Sequence, residues 1–413
     1  MCFRLVKLSR YYVASLNQHY AAQPDLASRS YEEQHAALMA ACLDTSDFYS
    51  RAFKALGYET LEIVANAEPL QKQWAREHGY EFDDARWWVE IAIAQIRAFR
   101  PEVVYVSGGA SILKEADVQH LRATCPSIRL MVVVDNAPAF THEATFRAYD
   151  FVISNTPEIV RYWKERGLPI YTVPIGFAPE ILDRIDTTAP PRVDFGFIGS
   201  IMRLEHYHLT RETLLAELVE KIDLEIWSDV RRVAWHTMPH QRARQAVYDV
   251  MHGLLHAGIP RWVLSAVPIA GRAINWKQRP SMPNYVDQRI ARRAHAPVYG
   301  LAMYQLLHDT RITLNIHGDI SANSASNMRL YEATGVKSCL LTDWKDDLPQ
   351  KYDPEQEVVT YRSVDEAVEK ARYLLDHEDE RARIAAAGQV RTLRDHTVAN
   401  RVAQIDALIN EHM

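Results

Sequence analysis

"NIHGDISANSASNMRLYEATGVKSCLLTDW", residues 315–344, decides how the chain is read. It starts inside an apolar run, "RITLNIHG" (311–318), passes through a loop, and leads through a short helical stretch into "SCLLTD" (338–343). Strand, loop, helix and strand in this order make a βαβ unit, in which the loop lies at the C-terminal edge of a parallel sheet. Residues 319–326 are small or polar apart from Ile320, so this backbone can come close to a ligand. The pattern predicts Ser326 as N-cap, a helix over Asn327–Thr334 and a stop at Gly335. Arg329 and Glu332 are three residues apart and share one side of that helix. The free N–H groups at the helix start suit an anion such as a diphosphate. A carboxylate at 332 can accept hydrogen bonds from vicinal hydroxyls, and Arg329 can pair with a phosphate or hold Glu332. A capped helix with a structural Arg–Glu pair reads the same way.

The rhythm extends in both directions. Upstream, Phe3–Leu8, Thr60–Ala65, "EVVYVSGG" (102–109), "RLMVVVDN" (129–136), "DFVISN" (150–155) and "YTVPIGF" (171–177) are short apolar, β-branched runs ending in small or polar residues. Buried parallel strands read this way. Amphipathic stretches such as Trp87–Phe99 and Glu158–Arg166 fit crossover helices between them. "DRIDTTAPPRVD" (183–194) is polar with adjacent prolines and reads as a linker. A second series follows with "FGFIGS" (195–200), a helix over Arg211–Lys221, "LEIWSD" (224–229), a helix over Gly300–His308, the opening stretch and "EVVTYRS" (357–363). Residues 236–297, rich in His, Arg and Pro, lose the rhythm and read as a helical insertion. The expected fold is α/β: two Rossmann-like doubly wound domains facing a cleft, over 1–185 and 186–395, with a C-terminal helix over 396–413. This is the outline of a GT-B fold.

At 413 residues the chain exceeds a single hydrophobic core, which agrees with two domains. A net charge of -6 argues against a broad nucleic-acid footprint. The four cysteines are scattered without a CxxC pair and read as reduced core thiols of a cytoplasmic protein. No window approaches about 18 uninterrupted apolar residues, so no membrane span is expected. Work at the inner face of a membrane stays open.

The strings "NMRLYEATG…LLTDW" and "YGLAMYQLLHDTRITLNIHGD" resemble the C-terminal domain of glycosyltransferases of the CgeB-like, family-1 and family-4 type. The resemblance covers the half from about residue 193 well. It covers the first half mainly through strand order and phrases such as "ISNTPEIVRYWKERG". It implies transfer of a sugar from a nucleoside diphosphate donor to a glycan, glycolipid or protein acceptor, with cell-surface polysaccharide assembly as a setting. The nucleotide sugar is a co-substrate and no cofactor or divalent ion is implied. The Glu of the EATG string, Glu332, is the residue that contacts the nucleotide ribose in that group. Many retaining members carry a second Glu eight residues earlier. Ser324 stands there in this sequence, and Asn323 or Asn327 can supply hydrogen bonds to sugar hydroxyls instead. "VDFGFIGSIMRLEHYHLTRETLL" (193–215) fits the same resemblance. Gly199 lets the backbone approach a pyrophosphate, Ser200, Arg203, His208 and Arg211 offer donors, and a cation there stabilises the leaving diphosphate. His317, at the end of the next strand, joins this donor set.

An inverting reaction needs a base near the acceptor hydroxyl. Asp47, at the start of a helix, and His142, after "MVVVD", are the expected carboxylate and imidazole. Each can equally be structural, as a cap or as a loop residue. "SGG" at 107–109 is too short for a dinucleotide fingerprint, which weakens an oxidoreductase reading. No HExxH or Cys/His ligand set is present, so no metal is expected. Two other functions remain open: a non-catalytic GT-B binding or coat protein, which the Ser at 324 allows, and a nucleotide-sugar 2-epimerase, for which convergent carboxylates are scarce.

Overall fold

The computed structural model describes residues 3–136, 142–201, 209–230, 237–265, 267, 270–275, 286–319, 321 and 323–413. The apolar runs become two all-parallel sheets. The first contains β1 (Arg4–Ser9), β2 (Glu59–Val64), β3 (Val103–Ser107), β4 (Leu130–Val134), β5 (Phe151–Ser154) and β6 (Ile170–Thr172), in the order β2-β1-β3-β4-β5-β6. The second contains β7 (Val193–Ile198), β8 (Glu225–Trp227), β9 (Ala294–His295), β10 (Thr310–Asn315), β11 (Cys339–Asp343) and β12 (Val359–Tyr361), in the order β12-β11-β10-β7-β8-β9. Helices cover both faces of each sheet, which is why strands such as "LMVVV" are apolar throughout. The fold is the expected α/β pair of doubly wound units.

The strand orders locate the sites. In the first sheet the winding reverses between β1 and β3, and in the second between β7 and β10. Crossover helices diverge to opposite faces at such a point and leave a crevice beyond the C-terminal strand ends. β1 and β3 end level, with Ser9 opposite Ser107. The loops after these strands start at Arg10 and Gly108, and those of the second sheet at Gly199 and Ile316.

Between β8 and β9 lie the helices Thr237–His256, Arg261–Ser265 and Gln288–Arg293. The first two, with the turn Ala270–Asn275, enclose a small core of Met251, Leu264, Ala273 and Ile274.

The halves are joined where two segments run side by side. Phe177 and Thr397 form a parallel bridge, with the Phe177 N–H donating to His396 O and the Val398 N–H donating to Phe177 O, both at 2.8 Å. The last helix, Val398–His412, then returns to the first half. Tyr58 donates to Asp406 at 2.5 Å, and the Tyr171 hydroxyl meets His412 Nε2 at 2.9 Å. One apolar cluster, including Phe177, Tyr331, Tyr352 and Val402, therefore runs through both halves.

Two local expectations in the opening stretch are corrected. The helix runs over Arg329–Gly335, and Met328, not Ser326, holds the N-cap position. The Ser326 hydroxyl instead meets that of Ser321 at 2.5 Å. Gly335 does not stop the helix but is its last residue; Lys337, at φ 68°, makes the left-handed step. Gly335 is required for packing, because a Cβ there would lie 2.5 Å from the Phe177 ring.

Candidate functional site: a cleft between two strand-end crevices

The donor-side residues converge at the β7/β10 reversal. Arg329 donates from Nε to Ile198 O at 2.9 Å and pairs through Nη1 with Glu332 Oε2 at 2.8 Å. Both side chains are largely buried, at 14% and 9% exposure. The Tyr304 hydroxyl lies 3.5 Å from the second carboxylate oxygen, Oε1. The expected Arg–Glu pair is therefore real, and it fixes the carboxylate beside the end of β7.

Arg211 is buried beneath the same strand ends. It donates to Ser200 O at 2.8 Å and to Ile316 O at 2.5 Å, tying the loops after β7 and β10 together. Burial lowers its pKa to about 10, against the opposing pull of Asp343 and Asp319. Gly199 donates its N–H to Trp227 O at 3.1 Å, while Ser200 is exposed. Arg203 and His208 lie outside the described residues.

His317 is buried where β10 ends. Its Nδ1 meets Asp343 Oδ1 at 2.6 Å, and its backbone N–H donates to the same oxygen. Burial works against ionisation of Asp343, but His317 and Lys345 outweigh it and hold the carboxyl below its usual range. The His317 Nε2 is buried and has no hydrogen-bond partner among the described residues. Asn327 pairs with Asn315, its Nδ2 donating to Asn315 Oδ1 at 2.6 Å, so its amide braces β10.

The first half reaches into this loop. Glu158, at the start of the helix Pro157–Lys164, accepts from the Ser324 hydroxyl at 2.8 Å and from the Asn323 N–H at 3.2 Å. Asn155 Nδ2 donates to Ser326 O at 2.6 Å. The sequence offers no glutamate at 324, yet a carboxylate from the opposite half stands against that residue. No local spacing could reveal this, since 158 and 324 meet only across the cleft.

Sequence reasoning also missed Asp44. It lies in the turn after the helix Tyr31–Ala40, at φ 52°, and accepts from the Tyr12 N–H, just beyond β1, at 3.2 Å. Burial raises its carboxyl to about 6 despite the Tyr12 N–H and the Lys7 charge, and the negative charge of Glu332 adds to the rise. Tyr12 feels Asp44, Glu332 and Arg211 together, and its phenol pKa is raised by the packed protein around its ring and by both carboxylates. Its side chain is nonetheless 59% exposed to water. Tyr12 and Asp44, beside the end of β1, therefore lie within electrostatic reach of Glu332 at the end of the second sheet.

The two residues expected as base lie elsewhere in these surroundings. Asp47 is at the N-cap position of the helix Phe48–Ala55 without a side-chain cap bond, and its carboxylate pairs with Arg51 at 3.2 Å. Arg51 in turn reaches Glu180 at 2.8 Å. His142 starts the helix Glu143–Ala148 with its ring edge-on to Phe146, at 6.4 Å between centroids. Ser9, the last residue of β1, is consumed by the buried Lys7–Glu62 pair, donating to Glu62 at 2.7 Å. Among the described residues no cluster of three or more His, Cys, Asp or Glu is arranged to hold a metal ion. No described helix is long and apolar enough to cross a membrane.

Comparison with known proteins fits this geometry. Residues 252–407 match a glycosyl transferase-like family. No curated protein matches the chain in sequence. Among solved structures, the chain resembles sucrose-phosphate synthase from Thermosynechococcus elongatus, with a TM-score of 0.52 at 10% identity, over 99% of this chain and 98% of that one. HepE from Anabaena, solved with UDP-glucose, gives 0.53 at 9% identity, over 99% and 100%. A glycosyltransferase from Rickettsia africae gives 0.51 at 8% identity, over 100% and 98%. At such identities the structures speak for the fold alone. The chain thus has the two-unit fold of these structures, and its residues 252–407 resemble a glycosyl transferase-like family.

Proposed function

We propose that the second half binds the nucleoside diphosphate sugar at the β7/β10 crevice, and that the first half holds a glycan, glycolipid or protein acceptor against the β1/β3 crevice. The observation that carries this reading is that Asp44, held by the Tyr12 N–H just beyond β1, feels the charge of Glu332, which lies by the end of β7. Glu332, fixed by Arg329, accepts the ribose hydroxyls. The diphosphate lies by Gly199, Ser200 and Arg329, and His317 Nε2 accepts a donor hydroxyl. No cofactor or metal takes part. Asp44 removes the proton of the acceptor hydroxyl. The freed oxygen bonds to the anomeric carbon as the bond from that carbon to the diphosphate oxygen breaks, and the nucleoside diphosphate leaves with the electron pair. Stabilising charge on the leaving group is the main contribution of such a site, and one direct displacement inverts the anomeric centre. A cytoplasmic location accompanies the reading, since the buried Cys42, Cys125 and Cys339 are free thiols.

The test is thermal unfolding with a panel of nucleoside diphosphates and their sugars, for wild type, Glu332→Gln and Asp44→Asn. A ligand at a hundred times its Kd adds about 2.7 kcal/mol. One nucleotide class should raise the Tm of wild type and of Asp44→Asn, and raise that of Glu332→Gln far less. Absence of stabilisation by every member would overturn the donor site. A product that keeps the donor's anomeric configuration would remove Asp44 from the role of base.

A further inference from the structure

We propose that the helical excursion between β8 and β9 docks the protein on an anionic lipid bilayer. This goes beyond the transfer reaction and does not depend on it.

The excursion leaves the sheet at the C-terminal end of β8, the edge that also carries the donor loops, and it has a hydrophobic core of its own. Its surface carries several exposed apolar side chains. Trp262 is 76% exposed, and Val250, Val263 and Val267 are also exposed. Three of these four fall within six consecutive residues, on and just after the helix Arg261–Ser265. A tryptophan this open contributes nothing to the small core, which Leu264 of the same helix fills at 3% exposure. Trp is the side chain best suited to the boundary between headgroups and acyl chains.

Charge selects the kind of partner. Residues 237–275 contain four arginines (Arg242, Arg244, Arg261 and Arg272) and one acidic residue, Asp249, in a chain with a net charge of -6. All four arginines are exposed. Exposed arginines and an exposed Trp on one excursion of an otherwise acidic chain are together attracted to anionic lipid headgroups. Nucleic acid would satisfy the arginines but would leave Trp262, Val263 and Val267 in water. A bilayer accommodates both sets, and it brings the cleft edge of the second sheet near any acceptor carried in that membrane.

The test is co-sedimentation of the full chain with phosphatidylcholine vesicles and with vesicles of equal parts phosphatidylcholine and phosphatidylglycerol. Wild type should bind the mixed vesicles and not the neutral ones, and salt should reverse the binding. Arg242→Glu with Arg244→Glu should weaken binding by about fivefold or more for each charge changed. Trp262→Ser should weaken it at constant charge. Quenching of tryptophan fluorescence by brominated lipid should be present in wild type and absent in Trp262→Phe. Unchanged thermal unfolding of each variant shows that the fold is intact. Equal binding to neutral vesicles, indifference to Trp262→Ser, or binding to DNA that is as tight and equally indifferent to Trp262→Ser would each overturn the proposal.

Discussion

Asp44 carries two opposed costs at one position. Its carboxyl titrates at about 6 in place of 3.8, because burial and Glu332 disfavour the charge. A raised carboxyl pKa means that the folded state holds its proton more tightly than the unfolded chain. Stability is therefore lost as pH rises from 3.8 through 6 and stays lost above it. Asp44→Asn should accordingly be more stable than wild type at pH 7, by about 1–3 kcal/mol. A base must be ionised to act, so kcat/KM of wild type should fall tenfold per pH unit below about 6. Asp44→Asn should lower kcat by roughly 10²–10⁴ and abolish that limb. Denaturant melts and a pH–rate profile check both halves. A variant that gains stability and keeps its rate would leave Asp44 strained without a catalytic purpose. The sequence pointed to Asp47, because an acidic residue at a helix start is a visible pattern. Asp44 carries no such pattern: its character comes from Tyr12 and Glu332, which lie far from it in the chain.

Among elements, the short helix Arg329–Gly335 shows how a residue can be legible while its reason is not. Helical spacing placed Arg329 beside Glu332, and the two pair at 2.8 Å. A terminal glycine commonly supplies a left-handed step, so Gly335 reads as a helix stop. Instead Gly335 lets the helix pass against the Phe177 ring, where a Cβ would fall 2.5 Å away. The neighbour is a rigid aromatic side chain, itself 1% exposed, and cannot swing aside. Gly335→Ala should therefore cost about 1–3 kcal/mol by overpacking, although alanine is the better helix former. Because Phe177 is also the bridge residue between the halves, donor affinity should weaken with stability. Urea melts read the first effect and nucleotide titration the second. A stabilised Gly335→Ala would mean that the Phe177 ring gives way to the added methyl group.

At the scale of the molecule, the join between the halves is a buried polar knot. His396 Nε2 donates to Lys351 O at 2.9 Å, and Nδ1 faces an Arg401 N–H at 2.7 Å, with Tyr331 and Tyr352 beside the ring. Burial lowers the imidazole pKa from 6.5 to about 4; Arg401 and Arg391 add to this, against Lys351 O and Asp395. The folded state thus keeps His396 neutral while the unfolded chain protonates below 6.5. Stability is complete above 6.5 and is lost as pH falls towards 4, by about 3 kcal/mol in total. His396→Gln should flatten the stability–pH curve across that window by about one proton. Chemical denaturation at a series of pH values decides it, and an unchanged slope would mean that other groups control acid unfolding.

The sequence by itself determined the strands, the two doubly wound series, the helices after β8 and the presence of Glu332, Arg329, His317 and Gly199 near strand ends. These follow from hydrophobic periodicity and from short-range spacing, which are written along the chain. Only the tertiary structure decided which of those groups are spent. Arg211 and Asn327 brace strand ends, Ser9 serves the buried Lys7–Glu62 pair, and Ser326 binds Ser321. It also decided what meets between the halves, namely Glu158 against Ser324, and that Asp44 feels the charge of Glu332. Desolvation and pairing over such distances depend on how two sheets are set against each other, and no window of sequence contains that relation.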